Sequence, residues 1–369
     1  MTPTMTPTLT TPLRRAAGSL MVVGLGATEL TPLERAWLRL IRPGGIILFR
    51  RNIADAAQSR TLLSEATSAC SPNPMRAVDI EGGTVDRMRD AVAPMPAAQT
   101  VARTGKPALM HQHGELIARE ARAFGFNTTI APVLDLALPI SAAVMATRAA
   151  ADNPASVTSY VRQFLAGLAA HNITGCAKHF PGLGGGTLDS HQATPTIDRT
   201  WQQLWQQDLV PYRELSRELP MVMVNHAAYP LTRGGDKPAT ASPFWITSVL
   251  TRKIGYRGLI FSDDLEMGGI LNYLPIEEAA IAAILAGIHM VEICHSPELI
   301  LRCYEALVHH TESSPAFRRL LLTRATQTQN LRAARYSAPE KPPLTPTQLT
   351  ALRDKILRFR ATVEAAKPA

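Results

Sequence analysis

Residues 173–191 read Ile-Thr-Gly-Cys-Ala-Lys-His-Phe-Pro-Gly-Leu-Gly-Gly-Gly-Thr-Leu-Asp-Ser-His. The first five form a short apolar strand signal, which ends on the bases Lys178 and His179 and runs into a glycine-rich loop closed by Asp189 and His191. Upstream, Asn153-Pro154 followed by Val157, Val161, Phe164, Leu165 and Leu168 gives a capped helix with an apolar stripe. A helix that feeds a strand with polar groups at its exit end is one repeat of an α/β architecture, and the pattern recurs along the chain.

Strand-like apolar runs occur at 18–25, 44–49, 75–80, 128–134, 173–177, 221–225, 258–262 and 289–294. Several are too continuously apolar for a one-sided sheet, as expected where helices cover the outside and side chains fill the inside. Ser242-Pro243 introduces a helix over 244–253, and Pro275 introduces another over 276–286 with Gly287 as its stop. Eight such strands argue for an α/β fold of the (β/α)8 TIM-type barrel kind rather than an open sheet. The expected organisation is a flexible segment over 1–13, a single catalytic barrel over 14–333 and a linker with a C-terminal helix or tail over 334–369. Within these, 297–333 return as helices and Leu349 to Val363 pack as a last helix or trail.

Bulk properties agree. With 369 residues, 46% hydrophobic and 18% charged, the chain can bury a large core, and length alone permits one barrel or two domains. No composition break calls for a second catalytic domain. The formal charge of +8 is dispersed without a Lys/Arg run, a zinc-finger pattern or a helix-turn-helix signature, which argues against a nucleic-acid partner. A basic field also suits a small anionic substrate, and equally suits plain solubility. Cys70, Cys176, Cys294 and Cys303 lack the close pairs of a metal knuckle or redox motif and read as buried thiols of a reducing compartment. Arg14-Arg15 and the apolar residues after it resemble an export signal, but the same run supplies the first strand, so a cytoplasmic location is expected. No apolar segment reaches the length of a membrane span.

The polar groups fall in one place. Asp79 and Glu81, Asp135, Lys178 and His179, Asn225 and His226, and Asp263 and Asp264 all stand at the exit ends of expected strands, the functional rim of such a barrel. Asp263 is the candidate nucleophile, because the strand before it can hold a short carboxylate toward the anomeric carbon of a bound sugar; Asp264 should point elsewhere. Asp189 can orient His191 and favour its protonated form, so that His191 protonates the leaving oxygen and later activates water. An ordinary loop histidine is an equal reading of His191 on these grounds. Lys178 and His179 can donate hydrogen bonds to sugar hydroxyls, Asp79 and Arg87 can grip another side, and Arg148 is a weaker candidate of the surface-charge type. Glu81 can organise the rim or act as a competing acid. The run Gly182-Leu183-Gly184-Gly185-Gly186 supplies backbone freedom but lacks the Gly-Lys-Ser/Thr ending of a phosphate loop. Two other classes stay open: a metal hydrolase built on His179, His191, His226 and the aspartates, and a nonenzymatic sugar-binding barrel.

At these motifs the chain resembles glycoside hydrolase family 3, specifically its compact beta-N-acetylhexosaminidases. The matching residues are Pro43-Gly44-Gly45-Ile-Ile-Leu-Phe-Arg50-Arg51-Asn52, Asp79-Ile80-Glu81-Gly82-Gly83, Lys178-His179-Phe180-Pro181-Gly182, Asp189-Ser190-His191 and Ser262-Asp263-Asp264-Leu265, in the expected order over roughly 14 to 330. The resemblance implies a retaining mechanism with Asp263 as nucleophile, His191 as acid and then base, and Asp189 as its partner. It also implies that Asp79, Arg87, Arg148, Lys178 and His179 hold a terminal beta-linked N-acetylglucosamine, with no cofactor and no metal. The implied substrate is an anhydro-muropeptide of cell-wall recycling; a monomer is the default expectation for a barrel with enough internal core. Three positions depart from the family pattern: Leu183 stands where the loop usually has histidine, Ile80 where glutamine is usual and Thr84 where arginine is common. A histidine acid/base also leaves room for phosphate to replace water as acceptor, making a phosphorylase the alternative activity.

Overall fold

The computed structural model describes residues 7–186, 194–337 and 342–366. Eight parallel strands close into a barrel: β1 (Met21–Gly24), β2 (Gly45–Leu48), β3 (Met75–Val78), β4 (Thr128–Thr129), β5 (Thr174–Phe180), β6 (Met221–Val224), β7 (Leu259–Asp264) and β8 (Met290–Ile293). Each pairs with its neighbours in sequence, and β8 returns to β1 through Met21 opposite Val291 and Val23 opposite Ile293. All eight fall within or across the apolar runs expected from the sequence, so the (β/α)8 reading holds.

The longer helices outside the barrel are α1 (Pro7–Ser19), α2 (Pro32–Ile41), α3 (Ala56–Thr67), α4 (Pro107–Ala123), α5 (Pro154–Ala169), α6 (Ile276–Ala286), α7 (Pro297–Ser313), α8 (Pro315–Tyr336) and α9 (Pro346–Ala365). Their ends follow local chemistry. Asn153 caps α5 by accepting from Ser156 N at 2.9 Å, and Thr31 and Glu34 form a reciprocal capping box on α2. Gly287, at φ 125°, stops α6 in a conformation that side chains rarely adopt. Residues Phe244–Lys253 wind as a π-helix. The segment boundaries expected at 13/14 and 333/334 both lie inside helices, α1 and α8. The run after Arg15 is the buried end of α1 followed by β1. Among the described residues no helix is long and apolar enough to cross a membrane.

Inside the barrel, Val22, Ile47, Met75, Ala77, Ile130, Cys176, Met221, Met223, Leu259, Phe261, Met290 and Cys294 form one buried cluster. These residues recur at every second position along a strand, the period of a pleated chain. A separate, larger cluster lies between barrel and helices. The strand-entrance end is covered by α8: its fully buried Arg332 donates to Gly44 O at 2.6 Å and Ser71 Oγ at 3.0 Å, and Tyr336 OH lies 2.9 Å from Thr128 Oγ1. The described C-terminal segment is a helix rather than a tail, since Leu352, Ile356, Phe359 and Val363 of α9 are buried and Phe359 stacks on His113 of α4 with ring centroids 5.9 Å apart. Helices α4 and α5 cross closely enough that a Cβ on Gly114 would stand 2.1 Å from Phe164 O, and one on Gly167 2.2 Å from His111 O.

Candidate active site

A cavity of about 440 Å³ opens at the strand-exit end, lined among others by Asp79, Glu81, Arg87, Arg148, Lys178, His179, Asp263, Asp264 and Glu292. Of the polar rim read from the sequence, Asp79, Glu81, Lys178, His179, Asp263 and Asp264 therefore meet in one site, whereas Asp135, Asn225 and His226 do not line it.

The cavity's first wall is an ion cluster. Immediately after β3 the chain makes a small hairpin, Ile80–Gly82 against Val85–Asp86. Gly82 turns at φ 88°, where an added Cβ would lie 2.2 Å from Pro96 O. The hairpin is pinned by Asp86, whose two oxygens accept from Met88 N and Met95 N at 3.0 Å each. Glu81 is thereby buried facing Arg148, which grips it with two parallel bonds of 2.8 Å, and Lys178 Nζ stands 2.6 Å from Glu81 Oε1 and 3.0 Å from Asp79 Oδ1. Arg87 reaches Asp79 at 3.5 Å. Burial alone would raise the carboxyl pKa values of Glu81 and Asp79, yet both end below their ordinary values. Arg148 and Lys178 outweigh burial at Glu81, and Lys178 and Arg87 at Asp79. Lys178 shows the reverse balance: burial lowers it, and Asp79 and Glu81 raise it further. The cluster is ionised, so it presents fixed charges to a polar ligand. Arg148 is thus a held cavity residue rather than a surface charge.

The second wall comes from β5. Asp135 Oδ2 sits 2.6 Å from His179 Nδ1, while its Oδ1 accepts from Leu183 N at 2.6 Å. One buried carboxylate therefore fixes both the imidazole and the start of the glycine-rich loop. His179 Nε2 lies 3.4 Å from Arg148 Nη2. Lys178 and His179 are consecutive, joined by a cis peptide, and both line the cavity. On a regular strand neighbours face opposite ways, but here Ala177 pairs with Val222 and Phe180 with Val224, so β5 carries one extra residue against β6.

The same device operates on β7, where Phe261 pairs with Met290 and Asp264 with Glu292. Asp263 continues the inward line of Leu259 and Phe261, and the extra residue brings Asp264 round as well. The expectation that Asp264 points away is corrected accordingly: both aspartates line the cavity. Asp263 Oδ1 accepts from Asp264 N at 3.0 Å. His226 Nε2 donates to Asp264 O at 2.9 Å and its Nδ1 lies 2.9 Å from Thr240 Oγ1. With both ring nitrogens engaged and burial lowering its pKa, His226 braces the strand end rather than offering a metal ligand. That removes one member of the histidine set considered for a metal hydrolase.

Asp189 and His191 lie outside the described residues. The loop leading to them is anchored: Gly184 packs so closely on Leu136 that a Cβ would meet its carbonyl at 2.5 Å. Leu183 lines the cavity as an apolar wall, Ile80 is buried at the start of the hairpin, and Thr84 stands in its exposed turn.

Sequence reasoning missed Glu292, Cys294 and His295, which complete the cavity. Glu292 is fully enclosed, and burial followed by the nearby Asp264 pushes its pKa well above the ordinary carboxyl value. The available signal was an acid between Met290 and Cys294, sharing their inward parity on an apolar strand.

A barrel with a blind charged cavity at the strand-exit end, and a carboxylate at its wall on a bulged strand, has the construction of a sugar-processing (β/α)8 enzyme. Residues 14–318 match the family model described as glycosyl hydrolase family 3 N terminal domain, and the chain belongs to that family. Among curated proteins it is 38% identical over 296 residues to a beta-hexosaminidase of Methylococcus capsulatus, covering 79% of this chain and 87% of that one. It is 36% identical to a beta-hexosaminidase of Pseudomonas aeruginosa, with 79% and 87% covered. Among solved structures, a family 3 beta-N-acetylglucosaminidase from Paenibacillus superposes with TM-score 0.85 at 28% identity, over 94% of this chain and 68% of that one. Native NagZ from Neisseria gonorrhoeae does so with TM-score 0.75 at 29% identity, over 95% and 98%.

Proposed function

We propose that the protein is a retaining exo-beta-N-acetylhexosaminidase that removes terminal beta-linked N-acetylglucosamine, with anhydro-muropeptides as substrates. The observation that carries this reading is the convergence of Asp263 and the Asp79–Glu81–Arg148–Lys178 ion cluster on one cavity of single-sugar scale. Family membership and the beta-hexosaminidase relatives support the same activity.

In the mechanism, Asp79, Arg87, Arg148, Lys178 and His179 hold the terminal sugar by its hydroxyl and amide groups. Asp263 attacks the anomeric carbon as the glycosidic bond breaks, and His191, oriented by Asp189, gives its proton to the departing oxygen. A glycosyl-aspartate ester results. His191 then takes a proton from water, the hydroxide oxygen bonds to the anomeric carbon, and Asp263 leaves as carboxylate with net retention. Glu81 acts at one remove, as the residue that positions Arg148 and Lys178. The protein works as a cytoplasmic monomer in this reading, as a single barrel with the helices that flank it.

The test is product release from an aryl beta-N-acetylglucosaminide, with and without phosphate, by the wild type and Asp263→Ala. Free sugar from the wild type, and turnover reduced to background in the folded variant, is the expected result. Sugar phosphate in the presence of phosphate would establish the phosphorylase alternative, and near-normal turnover by Asp263→Ala would overturn the nucleophile assignment.

A further inference from the structure

The end of β8 carries a cluster that the glycosidase mechanism does not use. Asp264, Cys294 and His295 each offer one donor atom, a carboxylate oxygen, a thiol sulfur and an imidazole nitrogen, and all three atoms lie within 4.8 Å of one another. His295 Nδ1 is 3.4 Å from Asp264 Oδ2, an ordinary separation for two ligands of one tetrahedral ion. Cys294 Sγ donates to Glu292 Oε1 at 3.1 Å.

The arrangement is held from behind. Glu266 accepts from Cys294 N at 2.9 Å and Ser296 N at 2.7 Å, and also from His295 N, so its carboxylate grips three consecutive amides of the segment that bears two of the donors, and its Oε2 lies 3.2 Å from His295 Nδ1. Asp264 Oδ1 is occupied by Glu266 N at 3.0 Å, which leaves Oδ2 as the oxygen turned toward His295. Outer contacts of this kind orient ligands before an ion arrives. Cys294 is buried and Asp264 partly so, whereas His295 is half-exposed and all three line the cavity, so the cluster has a route for entry. Arg51, whose Nη2 donates to Cys294 O at 2.6 Å, is opposed by the carboxylates of Asp264 and Glu266.

We propose that Asp264, Cys294 and His295 form a binding site for a thiophilic divalent transition-metal ion of the zinc class in the wall of the cavity. A sulfur, a nitrogen and an oxygen select zinc or cobalt over magnesium or calcium, which take oxygen ligands. Three protein ligands leave a coordination position facing the cavity. Binding displaces the thiol proton of Cys294 to solvent, so uptake releases acid. The proposal stands apart from the glycosidase reading, because it needs neither Asp263 nor His191.

The experiment is a titration of the metal-stripped full chain with Co(II), followed by the near-ultraviolet thiolate-to-cobalt charge-transfer band and by calorimetry with Zn(II). The expected result is one ion per chain with a thiolate band, lost in Cys294→Ser. In His295→Asn, whose side chain is half-exposed and whose fold is checked by circular dichroism, the dissociation constant should rise by at least about tenfold, the range typical even of outer-contact losses. Absence of the band in the folded wild type would overturn the proposal. So would a band that survives Cys294→Ser, or an unchanged affinity in His295→Asn, the variant that decides if Cys294→Ser does not fold.

Discussion

Replacing Glu81 by glutamine keeps the shape of the side chain and removes the charge at the centre of the ion cluster. The side chain is 2% exposed and bonds Arg148 twice and Lys178 once. Removing one partner of a buried pair typically costs about 3–5 kcal/mol, because the remaining charges are left uncompensated where they are largely withdrawn from water. Here Asp79 still pairs with Lys178 at 3.0 Å, so the lower end, about 3 kcal/mol, applies. An unfolding entropy of about 2.1 cal/mol/K per residue gives roughly 0.8 kcal/mol/K for this chain, so Tm should fall by about 4 °C in calorimetry at pH 7. Activity should fall further than stability. Arg148 and Lys178 lose their common anchor, and misplacement of positioning groups by about 1 Å can cost about a hundredfold in rate. The assay is kcat/KM on an aryl beta-N-acetylglucosaminide at a temperature where both proteins are folded. A Tm within about 1 °C of wild type together with unchanged kcat/KM would refute the claim that Glu81 holds the site, since the 3 kcal/mol loss requires both to move.

The same cluster sets a pH dependence. Glu81 and Asp79 have folded pKa values below their ordinary 4.5 and 3.8, so their stabilisation is fully present above those values and is lost as pH falls through the folded ones. Urea midpoints should therefore drop between about pH 5 and pH 3, with a shallower drop in Glu81→Gln; parallel profiles would contradict the assignment. Gly114→Ala drives a methyl into Phe164 O at the crossing of α4 and α5, where both neighbours are backbone, and should cost about 3 kcal/mol, the upper end for overpacking, read as a lower denaturant midpoint. Phe359→Ala empties the contact of α9 with His113 and should cost about 3–5 kcal/mol while leaving kcat/KM near the wild-type value, because α9 lies away from the cavity; a matching loss of activity would place α9 in the catalytic unit.

Both bulges place neighbouring polar residues in the cavity. Lys178 with His179 on β5, and Asp263 with Asp264 on β7, each spend one extra residue so that two consecutive side chains serve one site. Each strand then recovers its pairing within a residue or two, so the barrel closes undisturbed. The chemistry lies on rigid strand ends, while the loop that carries Asp189 and His191 leaves from the Asp135–Leu183 anchor.

The amino-acid sequence by itself determined the order and number of barrel strands, because continuous apolar runs bounded by capped helices reflect local propensity and burial, which neighbouring residues carry. It also placed Asp79, Lys178, His179 and Asp263 at one rim, since strand ends follow from strand positions. Only the tertiary structure decided which charges meet: Glu81 joins Arg148 from 67 residues away and Asp135 joins His179 from 44, contacts that depend on barrel closure and on hairpin and loop geometry. It also decided that Asp264 turns inward and that Glu292 faces it, because strand parity is legible in a sequence but a one-residue bulge is visible only in the pairing of one strand against the next.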